Sequence, residues 1–180
     1  MSDRTTDTTG PSGPGGHDTA EGVRKVAELV DAARICMLTT MTADGRHVSR
    51  PMALQDVEFD GDLWFFAYAD SDKAHQVQAN PQVNVAFSDD KHQAWTSVSG
   101  TASLVTDRAK MEELWAAPLE VWFPDGLDTD GITLVKVHAE TAEWWEASGS
   151  RAKRLVGAVR AAVTGDPDKF PSENHTERLS

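Results

Sequence analysis

The run Leu63-Trp64-Phe65-Phe66-Ala67-Tyr68, continued by Ala69-Asp70-Ser71-Asp72-Lys73 and closed by Asn80-Pro81-Gln82-Val83-Asn84-Val85-Ala86-Phe87, carries the most structural information in this chain. Its first six residues are strongly β-prone. Ser71 to Ala79 has the spacing of a short amphipathic helix, with Ser71 or Asp70 as its cap. Asn80-Pro81 stops that helix, and Val83 to Phe87 forms the next strand. A strand that delivers the Ser71 hydroxyl and the Lys73 ammonium to a helix start makes a seat for phosphate. Unpaired backbone N–H groups and the helix dipole both favour an anion there. Arg50, upstream beside Pro51 and Met52, completes the charge match, because its planar fork pairs with phosphate oxygens in bidentate fashion. Taken alone, these residues leave two readings open, an anion seat or ordinary surface charges.

Working outward, Val23, Val26, Ala27 and Val30 recur at helical spacing and predict a helix from Glu21 to about Ala33. Two β-prone runs, Ile35 to Met41 and His47 to Leu54, flank Thr42-Ala43-Asp44-Gly45, a hairpin signal. A third strand is expected from Gln55 to Phe59, meeting Leu63 to Tyr68 across Asp60-Gly61-Asp62 as a second hairpin. Ala94 to Val105 alternates as a long strand, with Gly100 marking a bulge or bend. Thr106-Asp107 caps a helix through Trp115, and Ala117 to Asp130 reads as an irregular loop. Ile132 to Val137 and Ala139 to Trp145 supply two last strands, and Arg151 to Val163 a final helix. Residues 1–20 are rich in Thr, Gly and Pro and predict a disordered tail. Residues 21–163 form the folded domain, and 164–180 a polar, mobile C-terminal tail. Six or seven strands joined mostly by tight hairpins, with helices at intervals, predict an α+β antiparallel barrel with peripheral helices.

The chain has 180 residues and a formal net charge of -12. That length suits one domain with a full core. Its negative surface repels polyanions, which argues against nucleic acid or an anionic membrane as a partner. No apolar run approaches the roughly 20 residues needed to cross a bilayer. The N-terminus lacks an apolar signal core, so a cytoplasmic location is expected. The single cysteine, Cys36, excludes an internal disulfide and lies in the apolar run Ile35-Cys36-Met37-Leu38, which predicts a buried, unreactive thiol. Six tryptophans accompany one tyrosine. Trp144 and Trp145 are adjacent, so on a strand one of them must face away from the core, toward a second surface such as a subunit contact.

Metal and nucleophile chemistry find little support. His47, His75 and His92 are far apart in sequence and join no ligand cluster with the cysteine. Ser97, Ser99 and Ser103 lie in an alternating strand without a nucleophile-elbow glycine pattern. Glu112 and Glu113 fit a solvated helix face. No Walker-type or dinucleotide glycine motif occurs.

The ordered set Leu38-Thr39-Thr40, Asp44-Gly45, Ser49-Arg50-Pro51-Met52, Leu63-Trp64-Phe65-Phe66, Ser71-Asp72-Lys73 and Asn80-Pro81-Gln82-Val83 resembles the pyridoxamine 5'-phosphate oxidase-like flavoproteins. Gly100-Thr101-Ala102, Leu114-Trp115, Trp122-Phe123-Pro124-Asp125-Gly126 and Glu143-Trp144-Trp145 are similar to the bacterial general stress protein branch of that family. The resemblance implies a split β-barrel, a homodimer, and FMN at the subunit interface, with a deazaflavin as the alternative cofactor. Carried over by position, Arg50, Ser71 and Lys73 would hold the FMN phosphate. Pro51, Met52, Phe66 and Ala67 would approach the ring through their backbone, and Trp122 would reach it from the second subunit. The C-terminal Asn174-His175-Thr176-Glu177-Arg178-Leu179-Ser180 departs from the arginine- and proline-bearing end of the true oxidase, which argues against pyridoxal phosphate production. The resemblance leaves open a flavin-dependent oxidoreductase acting on a small molecule and a flavin-binding stress or sensor protein without turnover.

Overall fold

The computed structural model describes residues 19–55, 59–147 and 172–178. Within them the chain order is α1 (Thr19–Ala32), β1 (Ile35–Met41), β2 (His47–Ala53), β3 (Asp62–Tyr68), α2 (Asp72–Ala79), β4 (Gln82–Asp89), β5 (Ala94–Val105), α3 (Arg108–Leu114), β6 (Ile132–Ala147) and β7 (Ser172–Arg178). Two short 3-10 turns, Ala117–Val121 and Gly126–Asp128, connect α3 to β6. The strands run β2-β1-β4-β5-β6-β3 across one antiparallel sheet, and β7 pairs with the far half of β6. The sheet curls into a split half-barrel, so the expected α+β split barrel is the fold observed.

Alternation along the strands explains the curl. On β1, Cys36, Leu38 and Thr40 are buried while Ile35 and Met37 face outward. Val83, Val85 and Phe87 of β4 join the same interior, as do Ala94, Thr96 and Val98 of β5. One face of each strand is apolar, and a sheet with one apolar face closes over it. Helix α1 covers that interior with Val26, Leu29 and Val30, which recur at helical spacing and are buried. Strand β3 differs. Leu63, Phe65 and Ala67 enter the main core, while Phe66 enters a second cluster with Met111, Leu114, Leu119, Phe123 and Leu134. A strand covered on both faces reads as a near-continuous apolar run, which is why Leu63 to Tyr68 shows little alternation.

Three expectations change. The strand from Gln55 to Phe59 is absent where the chain is described, since neither Gln55 nor Phe59 is extended in a ladder; residues 56–58 lie outside the described residues. β3 pairs instead with β6, Leu63 opposite Val137 and Phe66 opposite Leu134, because that neighbour offers a long apolar partner. The two last strands are one strand, β6, which bends without breaking: the register slips between Ser99 and Gly100 so that Glu140 is the extra residue on the β6 side. Ser172–Arg178, expected within a mobile tail, pairs antiparallel with Thr141–Ala147. The expected helix from Arg151 to Val163 lies outside the described residues. Trp144 is buried, and Trp145 is only partly exposed and pairs directly with Trp95, which is 46% exposed.

Gly100 is required at the slip by close approach. A Cβ built there would collide with the backbone carbonyl oxygen of His138. Gly100→Ala is expected to lower stability by about 2 kcal/mol or more, as overpacking against backbone does, read as a lower denaturant midpoint. Cys36 is 2% exposed, and its Sγ lies 3.6 Å from the Met52 carbonyl oxygen. Burial pushes the thiol up from 9.0 to about 12. A raised folded-state value means that this contribution to stability is complete below pH 9 and declines as pH rises toward 12. In the folded protein at pH 8 a thiol-reactive dye should leave Cys36 unlabelled, with stoichiometric labelling appearing only in denaturant.

Candidate functional site

The two strands that end the main sheet order, β2 and β3, border a cavity of about 310 Å³. That is within the range of small-molecule sites. From β2 come Arg50, Pro51, Met52 and Ala53; from β3 come Phe66, Ala67 and Tyr68. Lys73 reaches in from α2, Leu119, Trp122 and Phe123 from the 3-10 segment, and Ile35 and Gln55 complete the wall. Pro51 offers no N–H to a further strand, which suits an edge position and helps keep β2 from closing onto another strand.

Arg50 stands opposite Leu38 in the β1–β2 ladder, on the core-facing side, so its guanidinium is carried to the end of the barrel beneath α2. There Nη1 donates to Thr40 Oγ1 at 2.6 Å and to the Leu38 carbonyl at 3.4 Å, and Nη2 donates to Gln76 Oε1 at 2.9 Å. Burial lowers its pKa, and the charge of Asp72 acts in the opposite sense. Lys73, on the first turn of α2, is lowered by burial first and by the positive charge of Arg50 second, again opposed by Asp72. Neither cation forms an ion pair with a carboxylate among the described residues. Two like charges are therefore held close together, partly out of water, with only an exposed aspartate to offset them. That arrangement favours a bound anion.

The rest of the cavity is mostly apolar. Phe66 is 5% exposed and packs edge-on against Trp115, with ring centroids 5.4 Å apart. Tyr68 packs against Phe123 at 5.0 Å, and its hydroxyl donates to the Trp122 carbonyl at 2.8 Å. These contacts tie the 3-10 segment to β3 and hold the Trp122 side chain at the rim, 69% exposed. Among the lining residues there is no His, Cys, Asp or Glu, and among the described residues no group of three such side chains could hold a metal ion. The cavity thus joins two cationic side chains, Arg50 and Lys73, to a mostly apolar wall.

Seven of the eight sequence-predicted residues meet here: Arg50, Pro51, Met52, Phe66, Ala67, Lys73 and Trp122. Ser71 does not line the cavity. It is the N-cap residue of α2 by backbone position, but its hydroxyl makes no cap bond and donates to the Tyr68 carbonyl at 2.6 Å. Trp122, expected to reach a cavity from a second subunit, lines the rim of its own. Sequence reasoning missed Ile35, Ala53, Gln55, Tyr68, Leu119 and Phe123 in the wall, and Thr40 and Gln76 behind Arg50. Gln76 was findable, since it stands three residues after Lys73 on the same helix face. Thr40 was not, because only the β1–β2 register brings it to Arg50.

A family model described as pyridoxamine 5'-phosphate oxidase like matches residues 21–168. The chain is 26% identical over 155 residues to protein bli-3 of Neurospora crassa, covering 81% of this chain and 74% of that one. Among solved structures it is similar to the general stress FMN/FAD binding protein of the phytopathogen Xanthomonas citri, at 28% identity and a TM-score of 0.62, over 73% of this chain and 93% of the other. It is also similar to a candidate general stress protein 26 from Jannaschia sp. CCS1, at 25% identity and a TM-score of 0.66, over 89% and 99% of the two chains.

The electrostatics of the cavity can be tested with inorganic phosphate. A lysine whose folded-state pKa is lowered weakens the protein while it stays charged, so the ligand-free protein gains stability as pH rises toward the ordinary 10.5. Lys73→Met should therefore melt at the same temperature as the native protein, or higher, without phosphate. Millimolar phosphate should raise the melting temperature of the native protein and have little effect on the variant.

Proposed function

The chain belongs to the pyridoxamine 5'-phosphate oxidase-like family, and from that premise we propose that it binds FMN in the cavity between β2 and β3. The observation that carries this reading is that Arg50 and Lys73 line one mostly apolar cavity and lack a carboxylate partner within ion-pairing distance among the described residues. A phosphate monoester supplies the missing charge, and a fused aromatic ring suits the walls. The binding of FMN or FAD by the Xanthomonas citri relative supports the same ligand class.

In this reading Arg50 and Lys73 hold the phosphate. Pro51, Met52, Phe66 and Ala67 bound the ring and exclude water from it. Tyr68 keeps the Trp122 segment over the opening through its 2.8 Å bond to the Trp122 carbonyl. A flavin, when bound, supplies hydride and electron chemistry from its own ring. The chain contributes binding and orientation, and its described lining residues include no carboxylate or imidazole to move a proton. That lining suits a flavin carrier or sensor as well as an oxidoreductase whose substrate brings its own proton chemistry.

The proposal includes a second copy of the chain. Ile35 is 66% exposed, Met37 41%, Val121 81% and Trp122 69%. Met37 shares a row across the outer sheet face with Pro51 and Ala86. Exposed apolar side chains of this kind beside a ligand site suit a subunit interface.

Purified protein mixed with FMN should show the visible absorption of an oxidised flavin and sediment as a dimer. Removing both cations in Arg50→Ala/Lys73→Ala should weaken FMN by at least about tenfold, since a charge-assisted bond contributes about 1.5–3 kcal/mol. Protein that stays colourless in excess FMN, or a double variant with native affinity, refutes the reading. Anaerobic reduction of the bound flavin by NADH or NADPH, followed by reoxidation with candidate acceptors, separates turnover from binding alone.

A further inference from the structure

Arg50 is held from behind by neutral acceptors. Its Nη1 meets Thr40 Oγ1 at 2.6 Å and its Nη2 meets Gln76 Oε1 at 2.9 Å, while the Thr40 hydroxyl itself donates to Gln76 Oε1. The three side chains close a ring of hydrogen bonds joining β1, β2 and α2, and Thr40 is 1% exposed. Buried polar rings of this kind fix orientation when every member is satisfied. An arginine partly withdrawn from water usually meets a carboxylate. Here a glutamine stands in that place.

We propose that Gln76 and Thr40 are positioning residues: they aim the Arg50 guanidinium at a bound phosphate monoester and, being neutral, leave its positive charge uncompensated for that ligand. The inference rests on the FMN reading and extends it to residues outside the cavity wall. Fixing both Nη atoms leaves the Nε edge of the guanidinium to the ligand, so the aim of the fork is set before binding. A carboxylate at position 76 would satisfy the same geometry and remove the function, because it would pair with Arg50 at the distance the amide now occupies.

The opposed effects on folding and binding give the test. Gln76→Glu should fold with a melting temperature equal to or above that of the native protein, through its new ion pair with Arg50. It should bind FMN about tenfold or more weakly, and riboflavin, which lacks the phosphate, with unchanged affinity. Thr40→Val should also weaken FMN more than riboflavin, and Thr40→Ser, which keeps the hydroxyl, should restore FMN affinity. Equal losses for FMN and riboflavin in Gln76→Glu, together with a lower melting temperature, would make Gln76 merely structural and overturn the proposal. Native FMN affinity in Gln76→Glu would overturn it too. A native protein that binds FMN no better than riboflavin would remove the phosphate seat itself, and one that binds neither would remove the flavin reading beneath it.

Discussion

Strand β3 must be covered on both faces, and most of the architecture follows from that constraint. Leu63, Phe65 and Ala67 need one apolar partner layer, and Phe66 needs another. The barrel interior supplies the first. Helix α3 and the 3-10 segment supply the second, through Met111, Leu114, Leu119 and Phe123. β6 pairs with β3 along its full length, from Asp62 to Tyr68, and so β3 leaves its sequence neighbour β2 and joins the far end of the sheet. The result places β2 and β3, consecutive in the chain, at opposite ends of the sheet order, with a cavity bordered by both.

The same arrangement sets the electrostatics. A chain with a formal net charge of -12 would repel a phosphorylated ligand over most of its surface. The barrel end concentrates Arg50 and Lys73 in a half-buried place, where burial first and the charge of Arg50 second lower the lysine pKa. Their charge is kept available because the groups behind Arg50 are a hydroxyl, an amide and a backbone carbonyl. Locally this is unfavourable to the ligand-free protein, and the main core, which Arg50 borders through Leu38, is what holds the pair in place.

Much of this was legible before any coordinates. The alternation of Ala94 to Val105, the Asp44-Gly45 turn and the helix spacing from Val23 to Val30 all became the elements they predicted, because each is decided by contacts within a few residues. The misreadings concern partners. Gln55 to Phe59 looked like a hairpin strand because it stands next to Leu63 to Tyr68 in the sequence, while pairing was decided by where apolar area could be buried. The Ser71 hydroxyl looked like a helix cap, but it donates instead to the Tyr68 carbonyl, brought near by the turn, at 2.6 Å. Ile132 to Val137 and Ala139 to Trp145 read as two strands, and a one-residue slip opposite Gly100 let one strand continue through both.

By itself the sequence determined the fold class, most element boundaries, and the residue types that suit a phosphorylated planar ligand, since periodicity, turn chemistry and charge are local properties of the chain. Tertiary structure alone decided that Arg50 and Lys73 stand close enough to repel each other, that Thr40 and Gln76 hold the arginine without neutralising it, and that β2 and β3 face a common cavity. Those outcomes depend on which distant strands pair and in what register. Strand order is settled by burial summed over the whole core, a quantity that no single stretch of sequence contains.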